Sequence, residues 1–385
     1  MADRRVLSGN HFQIGNWACT EGAIAAGCNF CAGYPITPAS EVANYLAQRL
    51  PEVDGVFIQS EDEISACCAA IGASWAGRRA MTVTSGPGIS LMQESIGFAV
   101  ATETPLVIVD VQRFGPSTGA PSIGLAADMV QVARGSHGDY QIIALAPDTP
   151  QAMFDVTVRA FDLAERYRTL VFVMADGFAG HMRERINIPD ASAIKVADRR
   201  ISEKAKTVLE RQDFLDVNVA PMPVFGLGLK GHVTSSSHDK HGMRNLTDPE
   251  AMHNYVTTPI QKILSHRDDI VRVAETRTDD AELIIVTYGT VSRCGATALE
   301  MARAEGLPVG QLRLETCWPL PDVEIERAAK QAKHILVLEN NMGQMLPYIK
   351  SCVGGNAKVH FMGPKLLGQI QEPEAILNMI REILK

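Results

Sequence analysis

Short β-rich runs alternate with amphipathic stretches from residue 13 to about residue 190. Apolar runs such as CNFCAGY, GVFIQS and PLVIVDVQR are predicted strands, whereas ASEVANYLAQRL and TPQAMFDVTVRAFDLAERYR are predicted helices. Regular alternation of this kind favours a parallel sheet with helices on both faces. We therefore predict an α/β fold in which the turns after the strands carry the ligand-binding residues.

The alternation stops near residue 190 and resumes after residue 280. Between them lie charge runs (KVADRRISEKAK), a Pro-rich piece and the polar stretch HVTSSSHDKHGMRN, with one predicted helix, YVTTPIQKILSHRDDIVRVAE. We predict a first domain at residues 1–190, a connecting segment that wraps over the surface at 191–275, and a smaller α/β domain at 276–385.

Composition excludes several classes of protein. The formal net charge of the 385 residues is -8, and no basic cluster is present to neutralise phosphates, so we expect no nucleic-acid partner. No apolar run reaches the ~18–20 residues that cross a bilayer, and the start MADRRVLSGN has no apolar signal. We expect a soluble, cytoplasmic protein with no membrane partner.

The cysteines and two short motifs favour structural roles. The eight cysteines are scattered, which predicts reduced thiols, and Cys28 and Cys31 form a lone CxxC whose side chains we expect on opposite faces of a strand. We therefore predict no metal or cluster on this chain. The GxGxxG at 226–231 lacks a preceding strand and a following helix, and His238 and His241 are predicted to be solvated.

The turn GYPITPASE at residues 33–41 follows a predicted strand and precedes a predicted helix. Thr37 suits the N-cap and Pro38 the first helical position, so one interpretation is a helix cap alone. The other is that Pro35 and Pro38 fix the backbone around Thr37, as a substrate clamp requires. The residues leave both open.

Three further motifs follow predicted strands. Glu63 begins a helix of small residues that packs closely on nearly every side, so its carboxyl is predicted to be buried and paired. The TSGPG turn, which includes Ser85 and Gly86, lets a ligand approach the backbone but lacks the lysine of a phosphate loop. Arg113, at a strand end, suits either a substrate carboxylate or an ordinary ion pair.

In this order the motifs resemble the alpha subunit of the 2-oxoacid:ferredoxin oxidoreductases, which are thiamine-diphosphate and iron–sulfur enzymes. The resemblance is strong over about residues 10–185, and the last hundred residues are similar to a transketolase C-terminal-type domain. It implies a pyrimidine-binding domain in which Glu63 hydrogen-bonds the aminopyrimidine ring. Thr37 and Arg113 would hold the substrate carboxylate, and Pro35, Ser85 and Gly86 would contact the cofactor.

The resemblance also implies partner subunits. The GDG…Asn pattern that holds Mg²⁺ and the cysteines that hold [4Fe-4S] clusters are both missing from this sequence. We expect them on a beta subunit, with thiamine diphosphate at the contact between the two chains. Gamma and ferredoxin-like subunits are also expected, and coenzyme A would accept the acyl group left after a 2-oxoacid is decarboxylated.

The segments MFDVTVRAFDLAERYR, GHMRERINIPD and PMPVFG look most like the branch specific for 2-oxoglutarate. Pyruvate, branched-chain and aryl 2-oxoacids remain alternatives. A second carboxylate calls for a second cation, for which the sequence offers Arg78, Arg79, Arg134 or Arg293. Two other classes of function stay open: half of a transketolase-like carboligase, and a non-catalytic scaffold.

Overall fold

The computed structural model describes residues 6–203 and 213–385. Residues 1–5 of the predicted first domain and 204–212 of the predicted connecting segment, including the end of the charge run, lie outside this description. The described residues form two large sheets flanked by helices and one two-stranded sheet, which confirms the predicted α/β class. No helix in the described ranges has both the length and the apolar character needed to cross a membrane.

The first unit is built around a mainly parallel sheet. Its elements are β1 (Gly9–Ile14), α1 (Gly15–Ala25), β2 (Phe30–Gly33), α2 (Ser40–Arg49), β3 (Val56–Gln59), α3 (Glu63–Trp75), β4 (Ala80–Thr84), α4 (Gly86–Leu91), α5 (Gln93–Ala101), β5 (Leu106–Phe114), β6 (Ala120–Gly124), α6 (Met129–Arg134), β7 (Ile143–Leu145), α7 (Pro150–Tyr167), β8 (Leu170–Asp176), α8 (Gly177–His181) and β9 (Arg183–Ile188).

Within this sheet the strand order is β7-β8-β5-β4-β2-β3, and these six strands run parallel. Their carboxyl ends therefore meet at one edge, where the turns after β2, β3, β4 and β5 lie close together. Helices cover both faces. All seven residues of β8 are buried, as expected for a strand covered on both sides.

Close helix packing sets one requirement on the sequence. Helix α1 lies against α7, and a Cβ at Gly22 would come within 2.6 Å of the Phe154 carbonyl oxygen. Only glycine allows this approach without a shift of the backbone. The small residues of α1 thus serve packing between helices.

The second unit follows two connecting helices and has a sheet of its own. The connecting helices are α9 (Pro249–Ser265) and α10 (Arg267–Ile270). The elements after them are β10 (Val273–Thr276), β11 (Leu283–Thr287), α11 (Val291–Ala304), β12 (Val309–Leu314), β13 (Thr316–Trp318), α12 (Asp322–Gln331), β14 (His334–Leu338), α13 (Leu346–Val353), β15 (Lys358–Met362) and α14 (Pro373–Ile383).

The second sheet has the order β10-β12-β11-β14-β15, with only β10 antiparallel to its neighbour. Strand β13 leaves this unit and pairs antiparallel with β7, so the two units share a sheet edge. The helix predicted through residue 275 is wrong at its end. Val273–Thr276 form a strand because the edge of β12 offers backbone partners that a helix would forgo.

The connecting segment is held against the first unit by a buried ion pair. Lys262 Nζ lies 2.7 Å from Glu103 Oε2, and both side chains are almost fully buried. Lys262 also donates to the Arg168 carbonyl at 3.0 Å, and the Leu215 amide donates to Glu103 Oε1 at 2.8 Å. Each charge is thereby compensated, as burial of charged groups requires.

Two predictions about polar and cysteine residues are wrong. His238 is buried rather than solvated, because its ring nitrogens lie 3.3 Å from the Ala101 carbonyl oxygen and 3.1 Å from that of Asp239. Cys28 precedes β2 instead of lying in it, so it and Cys31 point into the same core rather than to opposite faces. Burial raises the pKa of the Cys28 thiol to about 12, which leaves it unreactive.

Candidate functional site

The turn between β2 and α2 differs from the predicted cap. The Ala39 amide donates to the Ile36 carbonyl at 2.8 Å, which closes a turn before the helix begins at Ser40. Ala39, not Thr37, therefore occupies the N-cap position, and Pro38 lies outside the helix after a cis peptide bond. The cap interpretation of Thr37 and Pro38 is wrong, and Thr37 is left exposed on the turn.

Arg113 ties this turn to the end of β5. Its Nη1 donates to the Thr37 carbonyl at 2.6 Å, and its Nη2 donates to the Thr118 carbonyl at 2.8 Å. The guanidinium is buried, and its Nε has no hydrogen-bond partner among the described residues. Burial lowers the pKa of Arg113, and the charges of Asp128 and Glu63 oppose this effect. The structure thus brings Thr37 and Arg113 together, through the Thr37 backbone.

Glu63 lies at the start of α3 with its carboxyl inside the protein. Asp62 caps the helix by accepting a hydrogen bond from the Ser65 amide at 2.7 Å, which leaves Glu63 in the first turn. Glu63 is 4% exposed, and Thr84 Oγ1 donates to its Oε1 at 3.4 Å. Burial raises the pKa of the Glu63 carboxyl, and the Thr84 hydrogen bond and the charge of Arg113 oppose this.

The TSGPG turn packs directly against Glu63. A Cβ at Gly88 would lie 2.6 Å from Glu63 Oε1, so glycine is required there. Ser85 occupies the N-cap position of α4, but its buried hydroxyl has no partner among the described residues. Pro35 is exposed on the same turn as Thr37. Ser85 is therefore available to a ligand.

Sequence reasoning missed two buried acids near the TSGPG turn. Asp128 precedes α6, and its amide donates to Gln112 Oε1 at 2.9 Å. A Cβ at Gly86 would lie 3.2 Å from Asp128 Oδ2. Asp110 lies on β5 and is fully buried. A carboxyl group within the apolar run LVIVDVQR was the signal that could have identified it.

A cleft of about 530 Å³ lies between the two units. Gly86, Arg113 and Asp128 line one side, and the loop at residues 341–344 after β14 lines the other. Asn341 holds this loop in place by donating to the Ala126 carbonyl and to the Tyr288 hydroxyl, each at 2.7 Å. The site therefore depends on both units of the chain.

None of the four candidate arginines lines this cleft, where Arg113 is the one Lys or Arg among the described lining residues. Arg78 is exposed, and Arg79 donates to the Ala26 and Ala197 carbonyls. The Arg134 guanidinium lies over the Trp318 ring, and Arg293 pairs with Glu184 at 2.7 Å. A second cation for a second carboxylate is thus not supplied to this cleft by the described part of the chain.

Comparison with protein families gives two matches. Residues 21–257 match the family described as "Pyruvate flavodoxin/ferredoxin oxidoreductase, thiamine diP-bdg". Residues 281–376 match "Pyruvate:ferredoxin oxidoreductase core domain II". The first match contains Glu63, Arg113 and the two turns of the site.

Individual relatives extend this likeness. The 2-oxoglutarate synthase subunit KorA of Methanothermobacter thermautotrophicus is 48% identical over 379 residues, which is 97% of this chain and 99% of the relative. A solved 2-oxoglutarate:ferredoxin oxidoreductase from Magnetococcus marinus, with 2-oxoglutarate, coenzyme A and succinyl-CoA bound, superposes with a TM-score of 0.91 at 30% identity. That match covers 98% of this chain and 66% of the other.

A more distant solved structure shares the fold alone. An inactive tetramer of a split-gene transketolase has a TM-score of 0.55 at 11% identity, over 96% of each chain. This likeness agrees with the predicted transketolase-like architecture. It gives no support to a carboligase activity, because likeness at such low identity does not extend to function.

Proposed function

Because the chain belongs to the pyruvate flavodoxin/ferredoxin oxidoreductase family, we propose that it is the alpha-type subunit of a 2-oxoglutarate oxidoreductase. In this reaction 2-oxoglutarate loses carbon dioxide, coenzyme A accepts the succinyl group, and two electrons pass to iron–sulfur centres. The observation that carries the proposal is the buried Glu63 carboxyl beside the TSGPG turn, in a chain 48% identical to a 2-oxoglutarate synthase subunit.

The residues around Glu63 fit the aminopyrimidine end of thiamine diphosphate. When bound, this cofactor supplies a nucleophilic carbon and an electron sink, which allow a 2-oxoacid to lose carbon dioxide. Glu63 has a raised pKa, so its carboxyl tends to keep a proton that it can donate to a ring nitrogen. We place the ring against the TSGPG turn, where the buried Ser85 hydroxyl has no partner among the described residues, with Gly86 and Pro35 beside it.

Arg113 and Thr37 are our candidates for holding the 2-oxoacid carboxylate. The two Arg113 hydrogen bonds to backbone carbonyls fix the guanidinium plane, and its buried Nε has no hydrogen-bond partner among the described residues. Thr37 is exposed, and its backbone carbonyl accepts a hydrogen bond from this cation. A fixed cation and hydroxyl orient a carboxylate, and this is the positioning that catalysis requires.

Exposed apolar residues beside the site support a partner subunit. Tyr34 follows β2, Ile58 lies on the edge strand β3, and Ile64 lies in the first turn of α3; they are 39%, 41% and 45% exposed. An uncovered edge strand with apolar side chains is a surface that proteins cover. We propose that a beta subunit covers it and holds Mg²⁺, the diphosphate and the [4Fe-4S] clusters, with gamma and ferredoxin-like subunits completing the assembly.

Turnover by the assembled complex tests the reaction. The complex is isolated with its natural partners, and dye reduction is measured with coenzyme A and 2-oxoglutarate, pyruvate, 2-oxoisovalerate or an aryl glyoxylate. We expect the highest kcat/KM with 2-oxoglutarate. Preference for another of the four would overturn the substrate, and an intact complex without iron–sulfur absorbance would overturn the reaction.

Glu63→Gln tests the role of the carboxyl. We expect kcat to fall by ~10²-fold or more, since a positioned acid–base group contributes on that scale. The matched control is Glu61→Gln, which makes the same change at an exposed position two residues away. Full activity of an assembled Glu63→Gln complex would support a scaffold instead of a catalytic subunit.

A further inference from the structure

Asp110 and Asp128 form a buried pair of carboxyl groups under the candidate site. Asp110 is fully buried on β5, and Asp128 is 7% exposed before α6. Asp110 pairs with Thr84 of β4 in the sheet, and the Asp128 carboxyl lies against Gly86, two residues after Thr84, so the two acids meet at the same turn. No described residue donates a hydrogen bond to either oxygen of Asp110 or to Asp128 Oδ2. Because carboxylate oxygens only accept hydrogen bonds, a contact between two of them needs a proton.

Asp128 connects the pair to Arg113, to which we assign substrate binding. The Asp128 carboxyl packs against the Gly86 backbone and lines the same cleft as Arg113. The charged groups that interact with the pair and with Arg113 are few. Arg113 interacts with Asp128 and with Glu63, and Asp110 interacts with Asp128. The charge on the pair therefore sets the potential that Arg113 presents to an incoming anion.

We propose that Asp110 and Asp128 share one proton, and that this proton preserves the affinity of Arg113 for the 2-oxoacid carboxylate. With one proton the pair carries a charge of about -1, which Arg113 balances. If the proton is lost, two negative charges face one guanidinium and repel the substrate. The pair consists of positioning residues, which act through Arg113, and this role rests on the proposed function.

Burial favours the protonated form of both carboxyl groups, which supports the shared proton. It raises the pKa of Asp128 to about 6, and it raises that of Asp110 well above its ordinary value, where the neighbouring Asp128 adds to the effect. A carboxyl whose pKa is raised on folding destabilises the folded state as the pH rises from the pKa of the unfolded chain toward the pKa of the folded protein. The wild-type protein should therefore lose stability over this range relative to a variant with only one of the two carboxyls.

The test compares Asp110→Asn and Asp128→Asn with the wild-type complex. Either variant retains only one carboxyl, so the pair cannot reach a charge of -2. We expect the wild-type KM for 2-oxoglutarate to rise at least threefold from pH 6.5 to pH 8.5, and each variant to lose most of this rise, while the pH dependence of kcat is the same in all three. The ionisation of Glu63 contributes to the pH dependence of all three proteins, so it does not affect the difference between them. Asp139→Asn, at an exposed position, should retain the wild-type profile.

A second measurement is independent of turnover. The difference in unfolding temperature between each variant complex and the wild type should grow in favour of the variant from pH 5 to pH 8. A difference that does not change with pH would overturn the shared proton. A KM profile that superposes on the wild type in both variants would overturn the link to Arg113. If the wild-type complex fails to use 2-oxoglutarate, the proposed function is wrong. The unfolding measurement still tests whether Asp110 and Asp128 share a proton.

Discussion

Replacing Lys262 by Met would leave the Glu103 carboxylate buried without its main partner. Burial tends to raise the pKa of Glu103, but attraction to Lys262 and Arg168 and hydrogen bonds from Lys262 and Leu215 outweigh it and lower the value to about 2. Glu103 is therefore ionised at neutral pH. Removal of one member of a buried ion pair costs about 3–5 kcal/mol, because the other charge stays desolvated and unpaired.

This cost converts to a measurable shift in unfolding temperature. Unfolding entropy is about 2.1 cal/mol/K per residue, which for 385 residues is about 0.8 kcal/mol/K. We expect Lys262→Met to lower the unfolding temperature by about 4–6 °C. Glu103→Gln should cost less, since Lys262 keeps its hydrogen bond to the Arg168 carbonyl. The double variant should cost less than the sum of the two, by about 1–3 kcal/mol, because the members of the pair are coupled.

The assay is thermal and denaturant unfolding of the purified chain for the wild type, both single variants and the double variant. The matched control is Lys330→Met, which removes an exposed lysine paired with Glu326 on α12. An exposed pair of this kind contributes about 0.3–0.5 kcal/mol. A shift for Lys262→Met no larger than that of the control, or strict additivity in the double variant, would refute the account of the buried pair.

Two further changes probe the site and its connection to the second unit. Gly88→Ala should lower kcat about as much as Glu63→Gln, because the new Cβ would come within 2.6 Å of Glu63 Oε1. The control Gly72→Ala should leave kcat unchanged, because a Cβ there has nothing within 4 Å. Dye reduction by the assembled complexes compares the two variants. Thr290→Val removes a 2.7 Å hydrogen bond to the buried Asp176 carboxyl and should destabilise the chain by about 1.5–3 kcal/mol; an unchanged denaturant midpoint would contradict this.

Much of the site could be predicted from local pattern. Each parallel strand ends at the same edge of the sheet, so motifs placed after successive β-rich runs had to converge. Burial of Glu63 followed from the small residues of α3, which allow close packing on all sides, and the structure places it in the interior. Its role, and those of Thr37 and Arg113, stay predictions.

Local pattern was misleading where the backbone made a contact that composition does not encode. Thr37 and Pro38 have the residue types of a helix start, yet a hydrogen bond from Ala39 to Ile36 closes a turn first. Val273–Thr276 continue a helical pattern, yet they pair with β12. In both cases a specific backbone partner outweighed a weak local preference.

The sequence by itself determined the α/β architecture and the order of the motifs along one sheet edge. These follow from hydrophobic periodicity and turn chemistry, which act over a few residues. Only the tertiary structure placed Asp128 against Gly86 and the residue 341–344 loop opposite Arg113. The Asn341 side chain reaches the Ala126 carbonyl across 215 residues of chain. Contacts over such a separation depend on how the two units pack, and no local propensity specifies that packing.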